Sequence, residues 1–198
     1  MRLCRSLNVV LTATILLGHT LYADSVNVDP KLLMALKQAA REITDSSIQM
    51  DEVTWLATMS RRLKRRIPDP FYRIALLKTV HTEAVRAGLD PELVLALIEI
   101  ESQFDRFAVS RSGARGLMQV MPFWMKEIGH PQDNLFHPRT NLRYGCTILR
   151  YYLDVTGGDV KRALAEYNGS SEKIVYATKV MIAFDETWQS PSMRPVSE

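Results

Sequence analysis

The sequence predicts an all-α protein, and three observations carry that prediction. No stretch sustains the period-two alternation of a half-buried strand, whereas apolar residues recur at helical spacing in segment after segment. Aspartate followed directly by proline, at Asp29-Pro30 and Asp90-Pro91, is a cap and first-turn pair that starts a helix. Glycines at Gly88 and Gly169 close apolar-periodic segments where a helix C-terminus is needed.

The elements follow in order. Asp29-Pro30 opens a first helix with Leu32, Leu33, Leu36 and Ala40 on one side. Asp51 caps a second that carries Trp55, Leu56, Met59 and Leu63, ends in the basic run 61–66 and breaks at Ile67-Pro68-Asp69-Pro70. That run reads as a solvated last turn favoured by the helix dipole, or as a contact for anionic polymer or headgroups. A third helix covers Phe71 to Ala87, and a fourth runs from Pro91 to Phe104. A short helix starts near Pro122, and Thr140 or Asn141 caps a longer one to about Asp154. Asp159 caps the next, Asn168-Gly169 ends it, a last helix spans Ser171 to Thr187, and a tail follows.

A chain of 198 residues with 46% hydrophobic and 24% charged residues can bury a core without metal or disulfide staples. Arg2 and Arg5, the apolar run Leu7 to Leu17 and the small-residue ending Leu21-Tyr22-Ala23 read as a cleavable export signal over residues 1–23. The alternative is a retained anchor, for which the run is short. Cys4 precedes the apolar run, which argues against a lipoprotein. Loss of the signal leaves 23 basic against 22 acidic residues, a net +1 rather than +3, and that balance points to no nucleic-acid partner. Cys146 is then the single cysteine; among Leu142, Leu149 and Leu153 it reads as a small buried hydrophobe rather than a nucleophile.

The most informative residue is Glu101. On a wheel of about 100° per residue, Leu93, Leu97, Ile100 and Phe104 share one side of the fourth helix, widened by Val94 and Ile98. Glu101 falls inside that stripe, while Glu99 points to the opposite side with Glu92 near it. Desolvation would raise the Glu101 pKa and keep its proton at neutral pH, which suits a general acid. The pattern alone leaves a core glutamate tied to an arginine equally open. The glycine-containing loop that follows favours function.

Three segments then carry a resemblance. Glu101-Ser102-Gln103-Phe104, the run from Gly113 to Pro122 (GARGLMQVMP) and Ala165-Glu166-Tyr167-Asn168-Gly169 resemble the three signature motifs of soluble-type lytic transglycosylases. These are lysozyme-like enzymes of glycoside hydrolase family 23, and order and spacing match from about Ala87 to Val180. The resemblance implies a lysozyme-like helical catalytic domain over residues 70–188, preceded by a short helical extension over 24–69 and followed by a tail over 189–198. It implies that Glu101 is the sole catalytic acid and base. Ser110, Met118 and Gln119 would line the cleft, and Tyr167 with Asn168 would approach from a separate helix end. Glu172 is a further cleft candidate that no distinctive motif fixes. Unaided, Tyr167 reads as a core tyrosine and Met118 as core filler. The sequence departs from the pattern at three places. Arg106-Phe107 stands where a proline is usual, Arg115 where some relatives carry a small residue, and Tyr-Asn-Gly-Ser replaces Tyr-Asn-Ala-Gly.

Most glycosidases use two carboxylates, and here only Asp105, one turn beyond Glu101, competes for a second role. The expected reaction is therefore substrate-assisted. Glu101 protonates the glycosidic oxygen between N-acetylmuramic acid and N-acetylglucosamine, the acetamido oxygen attacks the anomeric carbon, and Glu101 then takes the C6 hydroxyl proton. A 1,6-anhydromuramoyl end results, with no metal and no cofactor. The expected partner is the glycan strand of peptidoglycan in the periplasm of a Gram-negative cell. The protein is expected to be a monomer, with cell-wall or secretion machinery as a further contact. A hydrolytic muramidase and a non-catalytic wall-binding scaffold are the alternatives.

Overall fold

The structure, a computed structural model, describes residues 30–41, 46–169 and 173–190. The predicted export signal, Glu172 and residues 191–198 of the expected tail lie outside the described residues. Among the described residues there are eight α-helices. They are α1 (Pro30–Arg41), α2 (Ser46–Leu63), α3 (Pro70–Arg86), α4 (Pro91–Ser102), α5 (Trp124–Ile128), α6 (Pro138–Val155), α7 (Val160–Asn168) and α8 (Lys173–Ala183), the last running on as a π-helical turn, Phe184–Trp188. Among the described residues, extended pairing is limited to isolated bridges from Arg115 to Val109 and Val120. The all-α prediction holds.

The fold is built around α4. Its residues 92–98 are buried all round, because α3, α8 and the π-helical turn pack against different sides of it. A stripe reading of this helix was therefore too narrow: a helix covered on every side has no solvent face. Asp90 caps α4 by accepting from Glu92 N at 2.7 Å, with Pro91 in the first turn. Helices α6 and α7 complete the other half, with α6 on α3 and α7 between α6 and α8. Helices α1 and α2 pack on α3, and Leu56, Met59 and Leu63 are wholly buried in the same core.

Several boundaries differ from expectation for identifiable reasons. Helix α2 starts at Ser46, so Asp51 lies inside it rather than capping it. In α1, Leu33 is exposed and Ala35 takes the buried position. Helix α6 starts at Pro138, because the Asn141 side chain is turned to the neighbouring loop and cannot cap. The break after α2 is held by buried Arg73, which donates to Ser60 Oγ at 2.7 Å, to Ile67 O at 2.5 Å and to Pro68 O at 3.1 Å.

The basic run is partly absorbed into the fold. Arg62 donates to Trp188 O and Arg66 pairs with Glu99, while Arg61, Lys64 and Arg65 stay exposed. Ser190, at the start of the expected tail, donates from its N–H and hydroxyl to Glu92 at 2.8 and 2.5 Å.

Candidate active site

The site is assembled where α4 ends. Gln103 and Phe104 both take left-handed backbone angles, φ 51° and 69°, which turn the chain sharply off the helix axis directly after Glu101 and Ser102. Phe104 pays for that conformation by burying its ring against Trp188, 5.5 Å between centroids. Ser102 then reaches back and donates to Leu117 O at 2.8 Å, hanging the following loop from the helix that carries Glu101.

The loop is held by one buried amide. Asn141 Oδ1 accepts from Met118 N at 2.8 Å, and its Nδ2 donates to Arg115 O and Leu135 O at 2.8 and 2.9 Å. Gly116 makes this possible. At φ +76°, a Cβ there would stand 2.4 Å from Asn141 Nδ2 and 2.5 Å from Leu135 O. Gln119, itself left-handed at φ 47°, closes the loop by donating from Nε2 to Ala108 O and Gly116 O at 3.1 and 2.9 Å. The run from Gly113 to Pro122 is thus a pinned bracket rather than a flexible flap.

Glu101 is partly buried, and among the described residues no cation pairs with it. The arginine-tied alternative is not what forms. Its contact is Tyr176 of α8, whose hydroxyl donates to Oε1 at 2.5 Å. Burial pushes the Glu101 pKa up to about 7, and the Tyr176 hydrogen bond pulls the other way without cancelling it. Burial and the Glu101 charge together hold the Tyr176 hydroxyl well above its ordinary range, so that group keeps its proton.

The other acidic residues of the core are satisfied differently. Glu83 is wholly buried; burial alone would raise it, but Arg143 and Arg86 hold it below the usual carboxylate range, with Arg139 also at 3.6 Å. Glu92 accepts from Ser190. Glu99, expected to be solvated, is instead mostly buried, accepting from Trp188 Nε1 at 2.6 Å and paired with Arg66. Several core glutamates are therefore desolvated, and what separates Glu101 is that its single contact, the Tyr176 hydroxyl, does not offset burial, whereas Glu83 and Glu99 have arginines and Glu92 has two donors from Ser190.

The structure places the other predicted residues as follows. Tyr167, at the end of α7, donates to Met118 O at 2.7 Å and lies near enough to Glu101 for that charge to add to burial in raising its pKa. Asn168 follows it at the helix end, capped by Gly169. Met118 is wholly buried against Gly145, where a Cβ would come within 2.4 Å of its Sδ, and beside Cys146 at 4.0 Å. What it turns toward the site is its carbonyl. Cys146 is buried, and burial pushes its thiol up to about 12, as suits an inert core residue. Ser110 is exposed and accepts from Ala114 N at 3.0 Å through Oγ. Asp105 is exposed and accepts from Phe107 N at 2.8 Å, a turn-forming role.

Sequence reasoning missed Tyr176. Its signal was present: Tyr176, Ala177 and Val180 form the buried face of α8, and a tyrosine on such a face needs a partner for its hydroxyl.

Comparison with known proteins adds three findings. The family model described as Transglycosylase SLT domain matches residues 78–180. Membrane-bound lytic murein transglycosylase C of Actinobacillus pleuropneumoniae serotype 5b is 33% identical over 100 residues, covering 43% of this chain and 27% of its own. The protein of that name from Edwardsiella ictaluri is 51% identical over 45 residues, 23% of this chain and 12% of its own. The match to this chain thus spans about a quarter or less of the length of these relatives. Among solved structures, lytic transglycosylase Slt from Pseudomonas aeruginosa aligns with a TM-score of 0.50 at 22% identity, over 75% of this chain and 31% of that one. The 70-kDa soluble lytic transglycosylase in complex with bulgecin A aligns with a TM-score of 0.51 at 19% identity, over 79% and 32%. At these identities the likeness is one of fold, and the fold shared is the all-α, lysozyme-like one.

Proposed function

The chain belongs to the transglycosylase SLT domain family, and from that premise we propose that it is a peptidoglycan lytic transglycosylase with Glu101 as its sole acid and base. The observation that carries the reading is the state of Glu101: desolvated, without a cation, with a pKa near 7 and one hydrogen bond from Tyr176. Such a carboxyl can give its proton to a glycosidic oxygen and, once ionised, take one back.

Substrate assistance supplies what a second carboxylate would otherwise do. Asp105 is exposed and engaged with Phe107 N, so it does not offer a buried partner facing Glu101. The acetamido oxygen of N-acetylmuramic acid attacks the anomeric carbon as Glu101 protonates the leaving oxygen. The C6 hydroxyl then closes on that carbon, its proton passing to Glu101. The product is a 1,6-anhydromuramoyl end, and no water is consumed. Tyr176 is a positioning residue that fixes one carboxyl oxygen of Glu101 and leaves the other for the substrate. Ser110, Gln119, Tyr167 and Asn168 contribute to holding the strand, and Met118 contributes through the carbonyl that orients Tyr167. The export signal and a periplasmic site of action fit the same reading, as does membership of glycoside hydrolase family 23.

Mass spectrometry of digested peptidoglycan tests this. Muropeptides with anhydro ends, each lighter by one water than the hydrolytic product, are expected; fully hydrated reducing ends would replace the reading with a muramidase.

The pH profile gives a second test. Activity needs protonated Glu101, so it falls as pH rises through about 7. The Tyr176 hydrogen bond favours the carboxylate, so Tyr176→Phe lets the Glu101 pKa rise further. The alkaline limb of kcat/KM is expected to move to higher pH in that variant. A limb that stays put or moves down would contradict the assigned contact.

A further inference from the structure

A cavity of about 260 Å³ opens where α3 and α6 meet the end of α5 and the loop beyond it. Arg86 of α3, Arg143 and Thr147 of α6, and Ile128 and Asp133 line it. None of these residues takes part in the site built around Glu101.

Two guanidinia are held ready at this cavity. Buried Glu83 accepts from Arg86 Nε at 2.6 Å and from Arg143 Nε and Nη2 at 3.2 and 3.1 Å. Arg86 Nη2 is taken by Arg143 O and Thr147 Oγ1 at 3.2 and 3.0 Å. Among the described residues, Nη1 of each arginine forms no hydrogen bond. Arg139 adds a further cation 3.6 Å from Glu83, so one carboxylate answers three guanidinia and positive charge is left over.

The loop supplies the opposite sign. Asp133 Oδ2 accepts from the Tyr144 hydroxyl and from His130 N. Those bonds hold its carboxyl below the usual carboxylate range, so it is ionised at neutral pH. Gly129 permits the arrangement, because a Cβ there would fall on the Tyr144 hydroxyl. Ile128, 45% exposed, adds an apolar edge. A cavity lined by two arginine forks, a carboxylate and one apolar side chain suits a ligand that carries both signs of charge a short distance apart. On the arginine side a phosphate fits better than a carboxylate. Its oxygens surround the phosphorus, so it can meet guanidinia that come from two different helices.

We propose that this cavity binds a phosphate ester with an ammonium two carbons away, the phosphoethanolamine group, as a lipid headgroup or a free phosphoester. The phosphate lies on Arg86 and Arg143, and the ammonium on Asp133. A headgroup held here would seat the protein on a membrane surface without occupying the Glu101 site.

Isothermal titration with O-phosphoethanolamine, inorganic phosphate and ethanolamine tests the chemistry. O-phosphoethanolamine should bind about tenfold more tightly than inorganic phosphate, the scale of one added charge-assisted contact. Ethanolamine alone should give no measurable heat of binding. Asp133→Asn, whose Oδ1 can still accept from Tyr144 and His130 N, should bring the first two ligands to equal affinity. Arg143→Lys keeps a cation for Glu83 but removes the free Nη1, and Ile128→Glu sets a carboxylate at the exposed edge without disturbing a buried group. Each should weaken both phosphate ligands by about tenfold or more. Flotation with vesicles of phosphatidylglycerol and phosphatidylethanolamine, against vesicles with phosphatidylcholine in place of the ethanolamine lipid, identifies the source. Preferential flotation with the ethanolamine vesicles assigns a headgroup, and titration without flotation assigns a free phosphoester. Neither readout needs turnover, so failure of the reaction assigned to Glu101 would leave this result standing. Absence of binding in both titration and flotation would overturn the proposal, as would affinities that Arg143→Lys and Ile128→Glu leave unchanged. A preference for O-phosphoethanolamine that survives Asp133→Asn would also contradict it.

Discussion

Replacing Glu101 by glutamine is expected to reduce peptidoglycan lysis by about 10³-fold or more, the scale at which a single positioned acid and base contributes. The same variant should fold at least as well as its parent at pH 8. Glu101 has its pKa raised to about 7 from an ordinary value near 4.5, so folding favours the protonated form. Stability linked to this group is complete below about pH 4.5 and is lost as pH rises through 7. The shift corresponds to about 3 kcal/mol of cost for holding the carboxylate in place above pH 7. Glutamine keeps the shape, still accepts from Tyr176 and removes the charge, so Glu101→Gln should gain up to about that amount at pH 8 and nothing below pH 4.5. Denaturant melts at both pH values, beside a lysis assay, check both halves. Undiminished lysis would remove Glu101 from its role, and a large loss of stability at pH 8 would mean that its surroundings were misjudged.

The second large effect falls on Asn141, which touches no substrate. Asn141→Leu keeps the branched outline but leaves Met118 N and the Leu135 carbonyl buried without partners, while Arg115 O keeps only its bond from Val120 N. Two such groups, each costing about 1–3 kcal/mol, place the expected loss at about 2–5 kcal/mol, a severe change for one residue. Activity should fall as well, because the Met118 carbonyl that holds Tyr167 moves with the bracket. Asn141→Asp should be no rescue: a carboxylate would still accept from Met118 N, yet it would face two carbonyl oxygens with no donor. A urea midpoint lowered at unchanged slope, together with reduced lysis, is the predicted outcome. A loss below about 1 kcal/mol would show that water satisfies these groups instead.

The contrast between Glu101 and Asn141 shows what could be read from the chain beforehand. Helices were legible because their signals are local: Asp90 with Pro91, Asp159, and glycine at position 169 each act within one turn. Glu101 was legible as desolvated, but the argument from one stripe of α4 was incomplete. The helix is covered on all sides, so Glu92 and Glu99 are desolvated too and are rescued by partners far along the chain, Ser190, Trp188 and Arg66. Those partners depend on how the C-terminal segment and the end of α2 come back to α4, which no local pattern encodes. Tyr176 and Asn141 were missed for the same reason. Tyr176 reads locally as an ordinary helix residue and Asn141 as a helix cap, and each acquires its role only from a contact across the fold, 75 residues away for Tyr176 and 23 for the Asn141–Met118 bond. Met118 was legible as part of a motif, yet its side chain is buried and its contact with Tyr167 is made by its backbone carbonyl.

The central claim is that burial, opposed only by one tyrosine hydroxyl, keeps a proton on Glu101 at neutral pH. The most direct measurement is an NMR titration of the glutamate side-chain carboxyl carbons, with Glu101→Gln used to assign the Glu101 signal. A midpoint near 7 is predicted for the parent, moving higher in Tyr176→Phe. A midpoint at the ordinary carboxylate value of about 4.5 would mean that Glu101 is ionised at neutral pH, and the account of a lone proton-holding acid would be wrong.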